Sequence, residues 1–279
     1  MKKILIYLPC LLFLGLIFIN YNIVLDSTIN ACYIWLYKVF PYLFIMIILN
    51  NILINLNFYQ LFKKPSTYIF VMSMLSGSPT SAVIIGNLYK NNVIDKDYAH
   101  NSLLFAYFAN PLFLYTMLNS IFKSNYLTLK LMVIHYLSNL IIYFMHKKKL
   151  NNYCKENNNN STFNLTKAIK EAMNTNLMVL GTIIFYLVIS SIILNTINMP
   201  PFISLLFRGI LEMTQGLNFL IDASILSKEI LAIFFLSFGG LSIHTQVKCL
   251  LDEVNLDYKY FLKGRIYQTL IALFLTFIT

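Results

Sequence analysis

YIFVMSMLSGSPTSAVIIGNL, residues 68–88, is apolar at both ends and broken in its middle by Ser76-Gly77-Ser78-Pro79-Thr80-Ser81. A run this long approaches the roughly 20 residues that carry a helix across a bilayer. Gly and Pro at its centre, however, interrupt a helix. Backbone groups freed inside lipid must be received by protein or by a watery cavity, at several kcal/mol each if they are not. The stretch therefore reads as a segment that enters the membrane, turns at a polar tip and leaves by the face it entered.

The rest of the chain is of the same kind. Of its 279 residues 58% are hydrophobic and 11% charged, against about 25% charged in soluble domains, and the mean hydropathy is +0.68. These values predict an all-α, polytopic integral membrane protein whose first partner is the lipid bilayer. The net charge of +10 does not point to nucleic acid, because the basic residues fall between apolar runs, where positive-inside topology places them. Cys10, Cys32, Cys154 and Cys249 stand singly, without metal-ligand spacing, and no cofactor motif is present. Met1-Lys2-Lys3 before the apolar Ile4–Asn20 has the form of a signal peptide, but no A-x-A-like site follows it, so a retained first helix is expected.

A helix and loop are expected over 1–27, then a first repeat over 28–150 and a second over 165–279. The polar, low-complexity stretch 151–164 divides them as a cytoplasmic linker. In the first repeat Ala31–Ile54 reads as a span, with Lys38 snorkelling and Pro41 kinking near its start. The broken segment around Gly77 follows, then Ser102–Met117, broken at Ala109-Asn110-Pro111, and Thr128–Phe144, which runs into His146-Lys147-Lys148-Lys149. In the second repeat Leu165–Thr175 is expected to lie at the interface before the span Leu177–Ile197. A stretch broken at Glu212-Met213-Thr214-Gln215-Gly216 comes next, then Ile230–Val247, broken from Gly239-Gly240, and a last helix from Tyr258 that begins with Lys259, Lys263 and Arg265. Phe108-Ala-Asn-Pro and Phe238-Gly-Gly-Leu hold equivalent places.

Charge then selects a topology. If every apolar segment crossed fully from a cytoplasmic Lys2-Lys3, Lys147–Lys149 would lie outside, against expectation. Making the Ser76–Ser81 segment re-entrant returns them to the cytoplasm. Treating Glu212–Gly216 alike, from the other face, places Lys248, Lys259, Lys263 and Arg265 inside. Two inverted repeats result, each with a re-entrant hairpin and an interrupted transmembrane helix, as in many secondary transporters.

Four breaks predict one shared polar cavity. Gly77, Pro79, Pro111, Gly216, Gly239 and Gly240 are expected to supply the backbone breaks. Ser78, Thr80, Asn110, Glu212, Thr214, Gln215, Ser242 and Gln246 are the candidate substrate-binding residues, a set of hydroxyls and amides suited to a small polar solute. Half-helix N-termini attract anionic or hydrogen-bonding groups, and unwound carbonyls can hold a coupling ion. Glu212 stands out because an ionisable group in an apolar run is costly; the bland alternative pairs it with Arg208 one turn earlier. His244 divides between a site and a packing role, and His135 reads as structural. Neither a G-x-S-x-G elbow nor H-E-x-x-H appears, so no catalytic or metal residue is assigned. A homo-oligomer is compatible with the sequence.

Ser76-Gly77-Ser78-Pro79-Thr80-Ser81-Ala82, Asn110-Pro111-Leu112-Phe113, Leu211-Glu212-Met213-Thr214-Gln215-Gly216 and Gly239-Gly240-Leu241-Ser242 with Gln246 resemble the nucleoside-recognition Gate domain family. The likeness is strongest to its sporulation integral membrane branch, the YlbJ-like proteins, and spans nearly the whole chain after the first helix. Ser81 stands where that family usually has glycine. The resemblance implies an architecture similar to concentrative nucleoside transporters, with two oppositely oriented hairpins around a midplane site. It also implies a role in spore formation. A permease for a small polar solute is thus expected; the alternative is a non-transporting membrane scaffold needed for sporulation.

Overall fold

The computed structural model describes residues 2–150, 164–223 and 227–279, and all the regular elements among them are helical. Helix α1 (Lys2–Ile19) runs into α2 (Tyr21–Ile34), a π-helical turn (Trp35–Val39) and α3 (Phe40–Asn55). Then come α4 (Pro65–Ser76), α5 (Thr80–Lys90), α6 (Lys96–Leu103), α7 (Pro111–Phe122) and α8 (Asn125–His146). The second half holds α9 (Leu165–Thr196), α10 (Pro201–Leu211), α11 (Met213–Asp222), α12 (Lys228–Phe238), α13 (Gly240–Asp252) and α14 (Tyr258–Ile278).

Among the described residues five stretches are long and apolar enough to cross a membrane: Tyr21–Asn55, Asn125–His146, Leu165–Thr196, Lys228–Asp252 and Tyr258–Ile278. The chain is a multi-pass membrane protein. Helices α4, α5, α10 and α11 are only 10 to 12 residues long. At 1.5 Å per residue they reach about 15–18 Å, half of a hydrocarbon core about 30 Å thick. They pair as two helical hairpins. The second turns back so tightly that a Cβ on Gly216 would collide with the Cα of Gly209, a meeting that seven residues of continuous helix could not produce.

Contacts fix which helix ends lie together. Ser66 N donates to Tyr98 Oη at 2.8 Å, Thr67 Oγ1 meets Tyr143 Oη at 3.3 Å, and Asp257 N donates to His100 Nε2 at 3.0 Å. Asn51 Nδ2 donates to Glu171 Oε2 at 2.9 Å, and Asn87 Nδ2 to Asn51 Oδ1 at 2.8 Å. These bonds gather one lysine-rich end, with the starts of α4, α6, α9 and α14 and the ends of α3, α5, α8 and α13. At the opposite end Lys130 pairs with Glu229 at 3.3 Å, Lys228 Nζ donates to Ile221 O at 3.3 Å, and Asn195 Nδ2 to Asn20 Oδ1 at 3.0 Å. The α4–α5 hairpin opens at the lysine-rich end and the α10–α11 hairpin at the other.

Three apolar clusters hold the helices. One lies around α4–α6 and the lysine-rich ends of α8, α13 and α14. A second joins α7, α8, α10, α11 and α12, and a third joins α2, α3 and α9 through Ala31, Ile47, Ala172 and Ile183.

Several expectations need correction. The loop placed before residue 28 is helical, because its polar residues serve their own helix: Asn20 Nδ2 bonds Leu16 O and Thr28 Oγ1 bonds Val24 O, each at 2.8 Å. The second span therefore begins some ten residues earlier than expected, and Lys38 lies inside it rather than at its edge. Leu165–Thr175 is not a separate interfacial helix but the first third of the 32-residue α9. Arg265, expected with Lys259 and Lys263 on the inside at the start of the last helix, is fully buried. Gly216 is not a break; it is helical within α11. The linker over 151–164 lies, apart from Asn164, outside the described residues, as does Cys154. Asn164 itself caps α9, its Oδ1 accepting from Lys167 N at 3.0 Å.

Candidate functional site

In the first half the hairpin tip meets the broken helix backbone to backbone. Ser78 N donates to Phe108 O at 2.7 Å, and Asn110 Nδ2 donates to Leu75 O at 3.1 Å. A Cβ on Gly77 would lie 2.8 Å from Asn110 N, and its φ of +78° is one that glycine tolerates best. The Ser78–Pro79 peptide is cis. Asn110 then starts α7: its Oδ1 accepts from Leu112 N at 2.9 Å and from Phe113 N at 3.4 Å. Pro111, first in that helix, has no N–H to satisfy.

Between Leu103 and Pro111 the backbone is not helical, and its polar groups need partners. Helix α8 supplies them. Asn139 Nδ2 donates to Tyr107 O, Ala109 N donates to His135 Nε2 at 3.1 Å, and Tyr136 Oη donates to Ala109 O at 3.4 Å. His135 is thus the structural residue it was read to be, with Gln268 Nε2 3.4 Å from its Nδ1.

The second half repeats the device with different residues. Helix α10 stops at Leu211 and Glu212 turns extended, at φ −142° and ψ 113°. The Glu212 carboxylate, 2% exposed, folds forward to cap α11, accepting from Gln215 N at 2.8 Å and from the Thr214 hydroxyl. The alternative pairing with Arg208 is not made: that guanidinium lies over the Phe219 ring, 4.1 Å from its centroid. The reason is geometric, since i, i+4 proximity needs a continuous helix. Gly239 and Gly240 break α12 from α13 at φ +90° and +68°. A Cβ on Gly240 would lie 2.9 Å from Met213 N, and one on Gly239 2.6 Å from Tyr107 Oη. Tyr107 Oη in turn donates to Met213 Sδ at 3.8 Å. His244 points elsewhere, its Nε2 donating to Phe238 O at 2.9 Å and its Nδ1 accepting from Tyr258 Oη at 2.5 Å.

All four breaks therefore meet, and three of them, at Ser78–Pro79, Ala109–Asn110 and Glu212–Thr214, wall one cavity of about 90 Å³, to which α13, starting at the fourth, adds Ile243 and Gln246; it has room for several waters. Ser78, Pro79, Asn110, Glu212, Thr214 and Gln246 line it. Ser78 Oγ is buried there without a partner, and Gln246 Nε2 is held by Thr182 Oγ1 at 2.9 Å and Ser242 Oγ at 3.2 Å. Three candidates are buried but do not form the wall: Thr80, Gln215 and Ser242. Thr80 and Gln215 sit in the first turns of α5 and α11, and Ser242 orients Gln246 from behind. Ser81 is likewise buried in α5; the close approach at this tip is made by Gly77.

Three residues went unrecognised in the sequence. Lys38 lines the cavity, its Nζ 3.5 Å from Asn218 Oδ1. It was read as a snorkelling cation because the span was started too late. Tyr107 also forms the wall, and nothing marked it among 19 tyrosines. Behind it Arg265 lays its guanidinium over the Tyr107 ring, 4.0 Å from the centroid, and donates to Gln268 Oε1 and to Ser237 O, the latter at 3.4 Å. Among the described residues no carboxylate pairs with Arg265 and no cation with Glu212. An intramembrane arginine was the available signal.

The chain is similar to a sporulation membrane protein. It is 24% identical over 297 residues to the sporulation integral membrane protein YlbJ of Bacillus subtilis (strain 168), covering 85% of this chain and 73% of that protein. No protein-family model matches the chain, and no solved structure matches it.

Proposed function

We propose that this protein is a permease-like membrane protein for a small polar solute, acting in bacterial spore formation. The observation that carries the reading is a cavity walled by three chain breaks, with the fourth packed against them through Tyr107 and Met213, inside a multi-pass membrane protein. Irregular backbone at membrane depth is tolerated where it lines a cavity or is buried in protein, and its exposed dipoles are then ligands for a solute. Helices α7 and α11 point their N-termini at the cavity. Glu212, Thr214, Ser78, Asn110 and Gln246 offer both donors and acceptors, which suits a nucleoside-like metabolite.

In this reading the two halves are inverted repeats of the Gate domain kind, and alternating access between the two hairpins moves the solute. The lysine-rich end faces the cytoplasm. The role in sporulation is carried over from the name of the relative. In this reading the protein is not an enzyme: His244 is held through both ring nitrogens by Tyr258 Oη and Phe238 O, and His135 Nε2 accepts from Ala109 N.

Binding tests the reading. Purified protein in nanodiscs should bind one or more members of a panel of radiolabelled nucleosides and other uncharged polar metabolites, saturably. Glu212→Gln, which keeps a capping oxygen but loses the charge, should weaken that binding at least about tenfold, the scale of one charge-assisted hydrogen bond. Saturable binding that Glu212→Gln leaves unchanged removes Glu212 from the site. Absence of binding across the panel favours the rival, a scaffold in which the breaks only pack helices.

A further inference from the structure

Two more spaces lie on either side of the central cavity. Toward the lysine-rich end α5, α9 and α13 enclose about 220 Å³, walled by Asn87 and Lys90, Glu171 and Asn174, and Cys249 and Glu253. Toward the other end about 370 Å³ lies between the π-helical turn, α7 and α11, with Asn218 and Ser120 in its wall. This outer space shares Lys38, Tyr42 and Phe113 with the central cavity.

The inner space shares no residue with the cavity, yet it follows the same three chain segments. Pro79 lines the cavity and Ala82 the inner space; Gln246 pairs in the same way with Cys249, and Val179 with Met178. The barrier is thus about one helical turn, about 5 Å. On the cavity side of this barrier Gln246 Nε2 on α13 donates to Thr182 Oγ1 on α9, tying the two helices that would have to part.

We infer that the three spaces are successive parts of one solute path, joined here to the lysine-poor side and shut on the lysine-rich side by the Gln246–Thr182 tie. The inference rests on the permease reading and names the route and the inner gate of that permease. Solute enters past Lys38 and Asn218, stops among the four chain breaks, and leaves between α9 and α13 into a vestibule of amides and charges.

Thiol labelling tests the route without requiring transport. Replacing Cys10, Cys32 and Cys154 by serine leaves Cys249, which is free and exposed, as reporter of the inner space. Ile183→Cys, with Cys249→Ser added, reports on the cavity wall. A membrane-impermeant maleimide should label Cys249 in inside-out vesicles alone, and the Ile183→Cys protein in right-side-out vesicles alone. Adding Gln246→Ala should raise labelling of the Ile183→Cys protein from the inside-out face about two- to tenfold, as loss of one hydrogen bond shifts an opening equilibrium. Labelling of the unaltered cavity from the inside-out face, or no gain with Gln246→Ala, overturns the proposal. Flux separates the two claims. If wild-type liposomes take up a solute and full modification of Cys249 with a bulky maleimide leaves the rate unchanged, the route is wrong and the permease stands. If no solute moves, the permease reading fails, and labelling alone decides whether the path exists.

Discussion

Glu212 has two duties that substitution can separate. Its carboxylate caps α11 through Gln215 N and Thr214, and it also faces the cavity. Glu212→Ala removes the cap and should lower stability by about 1 kcal/mol, visible as an earlier unfolding transition in detergent. Glu212→Gln should unfold close to wild type while binding solute poorly. The glycines divide similarly. Gly77→Ala and Gly240→Ala place a Cβ under 3 Å from backbone at positive φ and should each cost about 2 kcal/mol or more. Gly181→Ala, helical with open space around it, should raise stability by up to about 1 kcal/mol. A destabilised Gly181→Ala beside an unaffected Gly77→Ala would contradict the packing described. Glu212 was legible in the sequence because an acid in an apolar run has no cheap explanation. Lys38 and Arg265 carry the same signal, but it was spent on topology, where a lysine or arginine near a supposed span end looks ordinary.

Among the elements, the extended stretch between α6 and α7 depends on α8. His135→Ala and Asn139→Ala each orphan one of its buried backbone groups, at about 1–3 kcal/mol. Hydrogen exchange should quicken at residues 107–109 in both variants and stay slow in α9; uniform quickening would mean that α8 has no such local role. At the lysine-rich end His100 Nε2 accepts from Asp257 N and its ring stacks on Tyr260, 4.3 Å between centroids. Burial, with Lys96 adding to it, holds this imidazole below the usual histidine range. The folded state thus prefers neutral His100. Its contribution is fully present above the unfolded value of about 6.5 and is lost as pH falls from there through the folded value. His100→Gln should flatten that part of the stability profile, and an unchanged profile would assign it to another group. Breaks were legible because Gly and Pro punctuate apolar runs plainly. The polar stretch around residues 20–30 was misread because Asn20 and Thr28 bond back to their own helix, which composition does not reveal.

In the whole molecule, sequence order suggested which segments turn back, and lysines suggested from which side. In the structure one hairpin opens beside Tyr98 and Tyr143 and the other beside Lys130 and Glu229. A shared cavity was expected from the four breaks, but not which parts of them would touch. Which tip touches which break is decided by close glycine approaches, Gly77 on Asn110 and Gly240 on Met213, and by Tyr107 reaching from the first half to Gly239 in the second. Thr80, Gln215 and Ser242 fell just behind the wall for the same reason, since a motif fixes a neighbourhood and helix rotation fixes which side chain faces in.

The central claim is that this meeting point moves a solute. Uptake into liposomes carrying purified protein, measured with a radiolabelled nucleoside panel, tests it most directly. The account predicts saturable uptake of at least one solute by wild type and loss of most of it in a folded Glu212→Gln protein. Uptake no faster than in empty liposomes for every solute tested would contradict it.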